Sequence, residues 1–300
     1  MKKHAAFSML ELVFVIVIMG IIGKFGVEFL AQSYKSFMFS KINNELEQNS
    51  ETAVEFIASR LQYRIKDSVI ARTAVGAGAV SIGSVLNNGG YTVLEWVSSD
   101  IDGFRGDNAP NWSGIIDLNT STATLLNSPD TNTTAIGTLI NTLSYGTMTI
   151  NDAALYFIGS NTDATSYAWN GVAIANQAGA AIHPITASGN LNEFVPRRGG
   201  SGLTNTFAGV DVYEYYKLVW TANAIVYTAG ANNKGTLTFY YNYQPWEGQT
   251  LNNGTPAVIM ENVSTFRFIS VGSILKIQVC TKSDLVQGET YSICKEKTVF

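Results

Sequence analysis

The sequence has little charge, and its basic residues are unevenly spread. Charged residues make up 14% of the 300 residues, against about 25% in ordinary soluble domains. No lysine or arginine occurs between Arg105 and Arg197. The formal net charge of −4 gives no indication of general nucleic-acid binding. Many threonines, asparagines, serines and glycines with few charges are typical of a secreted β-rich surface rather than of a cytosolic enzyme.

The motifs that usually mark an enzyme are also missing. There is no G-x-S-x-G, no H-E-x-x-H, no P-loop and no C-x-x-C. The chain has only two histidines, His4 and His183. A Ser-His-Asp triad would have to form around His183, which precedes a proline in a predicted loop and which we interpret as an ordinary surface residue. We therefore expect no catalytic activity and no bound cofactor.

Cysteine is scarce, and both copies lie near the end of the sequence. Cys280 and Cys294 are 14 residues apart. In a chain that leaves the cytosol, two such cysteines pair more often than not. Closing this loop would add about 3 kcal/mol to stability in the chain-entropy account. The alternative is two unrelated buried thiols.

The one long apolar run lies at residues 7–22, where only Ser8 and Glu11 are polar. It follows Lys2 and Lys3 and is shorter than the ~20 residues that cross a bilayer. A secretory signal peptide, an uncleaved anchor and a pilin-type leader are all compatible with it. No A-x-A-like cleavage site follows the run. Glu11 needs an explanation, because a buried and unpaired carboxylate costs several kcal/mol.

The apolar run continues into an amphipathic pattern. From Leu30 to Ile65 apolar residues recur every three, four or seven to eight positions, with charged residues between them. We predict one helix from about Ser8 to about Ile70, apolar all round in its first third and amphipathic afterwards. This divides the chain into a membrane or filament-core segment at 7–26, an amphipathic helix at 27–75 and a β-rich domain at 76–300.

The residues Ala6-Phe7-Ser8-Met9-Leu10-Glu11, followed by LVFVIVIMGII, resemble the start of type IV prepilins and type II secretion pseudopilins. The resemblance implies that a prepilin peptidase removes residues 1–6 by cutting between Ala6 and Phe7. It also implies that the new N-terminus is methylated and that Glu11 is the fifth residue of the mature chain. Ala6 departs from the pattern, because the family usually has glycine there.

The resemblance further implies a role for the carboxylate. In an assembled filament Glu11 would meet the α-ammonium of Phe7 on a neighbouring subunit, and a buried charge is acceptable when it is paired. The alternative is that Glu11 reaches the cytoplasmic headgroups. The expected partners are other pilins or pseudopilins, the prepilin peptidase and the bacterial inner membrane. Lys2 and Lys3 would stay on the cytoplasmic side, and the soluble domain would lie in the periplasm.

Beyond about Gly76 the sequence indicates β-structure. Short aromatic or β-branched runs are separated by Gly, Ser, Thr and Asn, which predicts strands at 91–97, 153–159, 167–175, 211–221, 224–229, 234–246, 265–271, 273–281 and 293–300. Residues 223–243 resemble a hairpin. No helical crossovers separate these runs, so we predict a mainly antiparallel sheet. Residues 98–150 read as a long loop or insertion, with or without short strands of its own. The predicted fold class is α+β and pilin-like, with a long N-terminal helix packed on antiparallel β-sheet.

Three polar or aromatic sets are candidate binding sites. Asp100, Asp102 and Asp107 surround two glycines as calcium ligands do, although a solvated turn explains them equally. The lysine set near the end of the sequence allows DNA as a partner, against a solvated face as the alternative. A tyrosine set suggests either a ligand platform or strands with one buried face. The lysines are Lys276, Lys282, Lys295 and Lys297, and the tyrosines are Tyr213, Tyr215, Tyr216, Tyr240, Tyr241 and Tyr243.

A second and shorter resemblance refines the expected function. The stretches AVEFIASRLQYRIKDSV and ENVSTFRF…LKIQV are similar to larger minor members of the family, the J-type pseudopilins and W-type minor pilins. The resemblance implies a structural subunit of a type IV pilus, a type II secretion pseudopilus or a competence filament. The alternatives are a surface adhesin or binding module carried by the same helix, and a signal-anchored periplasmic enzyme.

Overall fold

The computed structural model describes residues 8–85, 90–160, 163–197, 205–286 and 289–300. Its fold is α+β, as predicted: a long N-terminal helix packs on a large antiparallel sheet. The helices are α1 (Met9–Leu61), α2 (Ile101–Arg105) and α3 (Thr133–Leu143). The strands are β1 (Ile70–Arg72), β2 (Val80–Ser81), β3 (Val93–Ser99), β4 (Asp117–Thr122), β5 (Leu125–Asn127), β6 (Ala154–Phe157), β7 (His183–Ala187), β8 (Glu193–Pro196), β9 (Tyr216–Thr228), β10 (Gly235–Tyr243), β11 (Thr255–Val271), β12 (Ile274–Val286) and β13 (Glu289–Val299).

Helix α1 begins at a capping box. The Oγ of Ser8 accepts a hydrogen bond from the backbone N–H of Glu11 at 3.3 Å, and the Oε2 of Glu11 accepts one from the backbone N–H of Ser8 at 3.0 Å. These bonds satisfy two backbone donors that would otherwise lack partners at a helix start. The carboxylate also complements the positive end of the helix dipole.

Helix α1 ends nine positions before the predicted end near Ile70, and the prediction of helix through residue 75 was wrong. The chain after Leu61 pairs with β3 instead: the N–H of Ile65 donates to the carbonyl of Val97 at 2.8 Å, and the N–H of Ser99 donates to that of Tyr63 at 2.9 Å. Ile65 keeps the helical spacing in sequence, but it is buried in a different core from the helix. Tertiary pairing overrides the local pattern here.

The sheet is antiparallel in every pairing of the described residues. Its strand order is β13-β12-β11-β10-β9-β6-β7-β8-β5-β4, and β3 joins it through β9 while also pairing with β1. The predicted hairpin at 223–243 is confirmed, with Phe239 of β10 opposite Ile225 of β9. The predicted strands at 211–221 and 224–229 overlap one continuous strand, β9, which begins only at Tyr216 and ends at Thr228.

Three buried clusters form the core. The first lies between α1 and the sheet and includes Ile57, Trp96 and Ile277. The second includes Val93, Trp169 and Trp246 and lies on the other face of β3, because successive strand residues point to opposite faces. The third fills the far half of the sheet around β6 and α3. The helix therefore covers only one face of one half of the sheet.

The interpretation of residues 98–150 as a long loop was wrong, because much of this stretch is in helices and strands. These residues contain α2, β4, β5 and α3 and add Ile136 and Ile140 of α3 to the third core. Asn132 caps α3, because its side chain accepts a hydrogen bond from the N–H of Ala135 at 3.0 Å. The short strands left open by the sequence are present, but the 11-residue helix was not predicted.

The predicted strand at 167–175 is also wrong. Residues 164–167 form a 3-10 turn, and Ala168 follows it with a left-handed backbone at φ +60°. The side-chain oxygen of Asn170 then accepts a hydrogen bond from the N–H of Val172 at 3.1 Å, which forms a turn at the Asn-Gly dipeptide. Tyr167 and Trp169 are buried without being in a strand.

Candidate functional site

The first half of α1 stands free of the rest of the protein. Every residue from Met9 to Phe37 is exposed, and burial against the sheet begins at Ile42. This free segment is about 43 Å long at 1.5 Å per residue. It is long and apolar enough to cross a membrane, and it is the one such helix in the described residues. A single-pass anchor is consistent with this arrangement.

The free segment is longer than a bilayer is thick, because the hydrocarbon core is about 30 Å thick. Past Gly26, five apolar side chains remain 65–68% exposed, and Phe29 is one of them. The other four are Val27, Leu30, Tyr34 and Phe37. Their spacing of three, four and three residues places them along one side of the helix. This stripe, which we call the juxtamembrane stripe, is suited to packing against another helix.

The predicted processing and assembly residues lie at the start of the free segment. Ala6 and Phe7 lie outside the described residues. Glu11 is exposed, and its carboxylate accepts hydrogen bonds from the backbone N–H of Ser8 and, at 3.2 Å, from the Ser8 hydroxyl. Glu11 therefore has a partner within its own chain, which the sequence interpretation did not include.

The second half of α1 is held to β13 by opposite charges as well as by apolar contacts. The Nζ of Lys295 lies 2.6 Å from the Oε1 of Glu47 and 3.2 Å from the Oε2 of Glu51, and Lys297 pairs with Glu55. Hydrogen bonds to Glu47 and Glu51 raise the pKa of Lys295. Since the three glutamates are spaced at four residues, they form one acidic row along the helix.

The lysines of this region are therefore engaged within the protein. In addition to Lys295 and Lys297, Lys276 lies 2.8 Å from Glu296, and Lys282 donates to the carbonyl of Asn232 at 3.4 Å. A surface that binds DNA relies on lysines that neutralise phosphates. Three of these four lysines pair with carboxylates on α1 or β13, so less of their positive charge is available to a phosphate backbone.

The predicted disulfide is present. Cys280 of β12 and Cys294 of β13 are directly opposite in the strand register, with 4.0 Å between their Cα atoms, and their sulfur atoms are bonded. The bond joins β12 and β13, the two strands at one edge of the sheet. It therefore fixes β13, the strand that contacts the acidic row of α1.

The three aspartates considered for calcium do not converge. Asp100 is buried, and its carboxylate accepts hydrogen bonds from the N–H of Gly103 and from the indoles of Trp112 and Trp220, at 3.2 to 3.3 Å. Burial raises the pKa of Asp100 despite these bonds. Asp102 and Asp107 are exposed. Across the described ranges no three His, Cys, Asp or Glu side chains are grouped so that they could hold a metal ion.

His183 is not a surface residue, and that interpretation was wrong. It begins β7 and is 1% exposed, with Phe157 at 5.0 Å and Phe207 at 6.5 Å between ring centroids. Its Nδ1 has no hydrogen-bond partner in the part of the chain that the structure describes. Burial lowers the pKa of His183 to about 3. Its environment is that of a core residue.

The tyrosine set divides between core and rim, as one of its two interpretations predicted. Tyr216 and Tyr243 are buried, whereas Tyr215 is 54% and Tyr213 is 37% exposed. The hydroxyl of Tyr243 donates to the Oε2 of Glu95 at 3.1 Å. These tyrosines do not form a common platform.

Sequence analysis missed one buried ion pair. The Nε of Arg72 lies 2.6 Å from the Oε1 of Glu95, and the two side chains are 10% and 2% exposed. Burial raises the pKa of Glu95, and the charge of Arg72 opposes that shift. The available signal was a single carboxylate inside the apolar strand VLEWV, the same kind of signal that drew attention to Glu11.

No protein-family model, curated protein or solved structure matches this chain.

Proposed function

We propose that the chain is a minor pilin or pseudopilin, a structural subunit that assembles through its N-terminal helix into a type IV pilus, a type II secretion pseudopilus or a competence filament. The observation that carries the proposal is the free segment of α1. It exposes apolar side chains over about 43 Å, and a bilayer covers only about 30 Å of that length.

The juxtamembrane stripe supports assembly over simple anchoring. A membrane anchor needs an apolar span, but it does not need Val27, Leu30, Tyr34 and Phe37 exposed beyond that span. Exposed apolar patches of this kind mark interaction sites. A bundle of parallel helices buries both the membrane span and the stripe with one kind of contact. The family resemblance comes from the short basic leader, from Ala6 and Phe7 at the cut, and from Glu11 at the fifth mature position.

Glu11 is suited to a second partner in such a bundle. Its carboxylate is held at the start of α1 by the Ser8 N–H and hydroxyl. It retains lone pairs for a further donor, because a carboxylate accepts about four hydrogen bonds. In the proposed filament that donor is the α-ammonium of Phe7 on the neighbouring subunit. Removing one member of a buried pair costs about 3–5 kcal/mol, so the pair would fix the register of the subunits.

The two roles of Glu11 can be separated by substitution. Glu11→Gln keeps the capping box, since glutamine serves at this position as glutamate does, but it removes the charge. Ser8→Ala breaks the capping box and keeps the charge. We expect Glu11→Gln to abolish filament incorporation and Ser8→Ala to retain it, as measured by co-purification with sheared filaments from the native host. Equal loss in both variants, or no loss in Glu11→Gln, would contradict pairing through the charge.

Processing is tested by mass spectrometry of the N-terminal peptide from membrane-extracted native protein. We expect a chain that starts at Phe7 and carries one extra methyl group. A chain that starts at Met1 would leave a plain anchor, and a start beyond about residue 22 would indicate a secretory signal peptide. Either of those results would refute assembly as a pilin.

A binding module carried on the same helix is the second candidate. It is favoured by one observation, an open cavity on the face of the sheet that α1 does not cover. The J-type and W-type resemblance is compatible with such a module, because it concerns residues of α1 and of the core strands and leaves the surface of the domain unassigned.

A further inference from the structure

Three large side chains lie abreast on the surface of the sheet. Tyr215, the residue before β9, forms a bridge with Ile115 on one side, and on the other side its carbonyl accepts a hydrogen bond from the N–H of Ile158 at 2.8 Å. Residues that are directly opposite in antiparallel pairs point to the same face of a sheet. Ile115, Tyr215 and Ile158 therefore form one row, and they are 41%, 54% and 48% exposed.

The row lies on the face of the sheet that α1 does not cover. The side chains of Tyr215, Lys217 and Val219 share one face, because alternate residues of an extended chain do so. Val219 is buried in the second core, and so is Tyr156, which is opposite Lys217 in the register of β6 and β9. Helix α1 packs on the first core instead. The row therefore stays accessible when α1 packs against other helices.

Tyr213 extends the row into a patch. It is 37% exposed, and its ring packs against the backbone of Gly159, where an added Cβ would lie 3.2 Å from the ring. The ring is thus held beside Ile158. We call Ile115, Ile158, Tyr213 and Tyr215 the Tyr215 patch. Contiguous exposed apolar side chains mark interaction sites, and aromatic residues are enriched at the centres of protein interfaces.

Positive charge borders the Tyr215 patch at one end. Lys217 follows Tyr215 on the same face and is half-buried, and burial and then the nearby charge of Lys66 lower its pKa. Within the described ranges no carboxylate forms an ion pair with either lysine. Asp67 accepts a hydrogen bond from the hydroxyl of Tyr156 at 3.4 Å instead. A half-buried cation without a counter-charge favours an anionic partner.

We propose that the Tyr215 patch binds an acidic segment of a partner protein, whose apolar side chains pack on Tyr215 and whose carboxylates pair with Lys217 and Lys66. An apolar centre with charge at its rim is the usual composition of a protein interface. A second copy bound through the same patch would bring the lysines of both copies together, which is unfavourable. A nucleic acid needs a longer track of cations than two lysines provide.

The test uses the full chain in lipid nanodiscs, which cover the apolar span and leave the domain in water. Random short peptides displayed on phage are selected against it, after empty nanodiscs have removed the peptides that bind lipid. We expect the selected peptides to combine acidic with apolar residues. Selection of no peptide, or of basic or uncharged peptides only, would overturn the proposal.

The role of charge is tested with a matched pair of peptides. The selected peptide is synthesised with a fluorescent label, and its partner carries asparagine and glutamine in place of aspartate and glutamate. We expect the neutral peptide to bind about tenfold more weakly by fluorescence anisotropy, because it loses its charged hydrogen bonds. Equal affinity of the two peptides would contradict pairing with the lysines.

Substitutions locate the binding. Tyr215→Ser removes the central ring, Lys217→Gln removes the half-buried charge, and we expect each to weaken binding of the acidic peptide about tenfold or more. Tyr145→Ser, at a tyrosine that is 86% exposed outside the patch, and Lys41→Gln on α1 are the matched controls and should bind as the wild type does. Unchanged affinity in Tyr215→Ser and Lys217→Gln, with unchanged melting temperatures, would refute the site.

Two further results would assign the patch to another occupant and overturn the proposal. One is a single-stranded DNA oligonucleotide that binds more tightly than any selected peptide and loses this binding in Tyr215→Ser. The other is self-association of the chain, measured by sedimentation and lost in the same variant. The proposal does not depend on filament assembly, because no residue of the Tyr215 patch belongs to α1.

Discussion

Acidification should destabilise the protein through His183. Its pKa is lowered to about 3 in the folded chain by burial, whereas histidine in an unfolded chain titrates near 6.5. Between these values the unfolded chain binds a proton that the folded chain does not, so stability rises with pH there. The unfolding free energy that depends on the neutral ring of His183 is fully present above about pH 6.5 and is lost as the pH falls towards 3.

The expected size of this effect follows from the two pKa values. Relative to neutral pH, the loss is about 2 kcal/mol at pH 5 and about 3 kcal/mol at pH 4. His183 is 1% exposed, so solvent screening does not reduce this figure much. Glu95 and Asp100 act in the opposite sense, because burial raises the pKa of each carboxyl group. The measurement must therefore isolate the histidine.

The comparison of wild type with His183→Leu achieves this. Leucine is apolar and similar in volume, and the Nδ1 of His183 gives up no hydrogen bond within the described residues. Urea unfolding of the detergent-solubilised chain at pH 8, 6, 5 and 4 should show that the stability of the wild type relative to the variant falls by about 2 kcal/mol between pH 8 and pH 5. The measurement uses the unprocessed chain, which keeps residues 1–6, so that His4→Leu can serve as the control at the other histidine of the sequence.

A difference between wild type and His183→Leu that stays constant from pH 8 to pH 4 would refute the reasoning. So would an NMR titration in which the His183 ring protonates near its ordinary pKa in the folded protein. Either result would mean that the ring is more hydrated than its burial indicates. The assignment would be confirmed if His4→Leu and wild type lost stability equally between pH 8 and pH 5, and both lost about 2 kcal/mol more than His183→Leu.

Two further substitutions test the fold. Replacing Cys280 and Cys294 by alanine should lower the unfolding free energy by about 3 kcal/mol, and the melting temperature of the double variant should no longer respond to a reductant; an unchanged melting temperature would refute a stabilising bond. Arg72→Met should cost about 3–5 kcal/mol, because it leaves the carboxylate of Glu95 buried and unpaired. Without the charge of Arg72, burial raises the pKa of Glu95 further. The cost of the substitution should therefore grow as the pH rises and the buried carboxyl group has to ionise. The double variant Arg72→Met with Glu95→Leu should recover most of the loss. If urea unfolding shows that the free-energy changes of the two single variants simply add in the double variant, the pairing is contradicted.

Much of the fold could be predicted, because its main signals are local. The spacing of Ile42, Leu46, Ile57 and Leu61 is the buried face of α1, as the helical pattern indicated. The hairpin of β9 and β10 and the antiparallel strands after it follow from alternating β-branched residues and Gly/Asn turns. The disulfide followed from cysteine count and spacing.

The errors occurred where distant contacts decided the outcome. Ile65 continues the helical spacing but pairs with Val97 of β3. The burial of His183 depends on Phe157 and Phe207, which come from distant parts of the sequence. Asp100 was considered as a metal ligand because its neighbours in sequence are acidic, whereas its partners include the indole of Trp220. No local pattern contains such contacts.

The attachment of α1 to β13 has a mechanical consequence. Contacts follow one another in the same order along both elements. The rings of Phe39 and Tyr291 are tilted to each other with 5.1 Å between their centroids. Farther along, Glu47 and Glu51 pair with Lys295, and Glu55 pairs with Lys297. At the far end Arg64, 4% exposed, donates to the carbonyl of Ser273 at 2.8 Å and to that of Val299 at 3.4 Å.

The helix and the last strand therefore run in the same direction and are joined along their length. Tension applied to the free segment of α1 would enter the domain near Tyr291 and would be shared by successive contacts down to Arg64. The covalent bond between β12 and β13 prevents the loaded strand from being pulled off the sheet by itself. The domain can therefore be held by its helix under tension, because the force is distributed over β12 and β13 at the edge of the sheet.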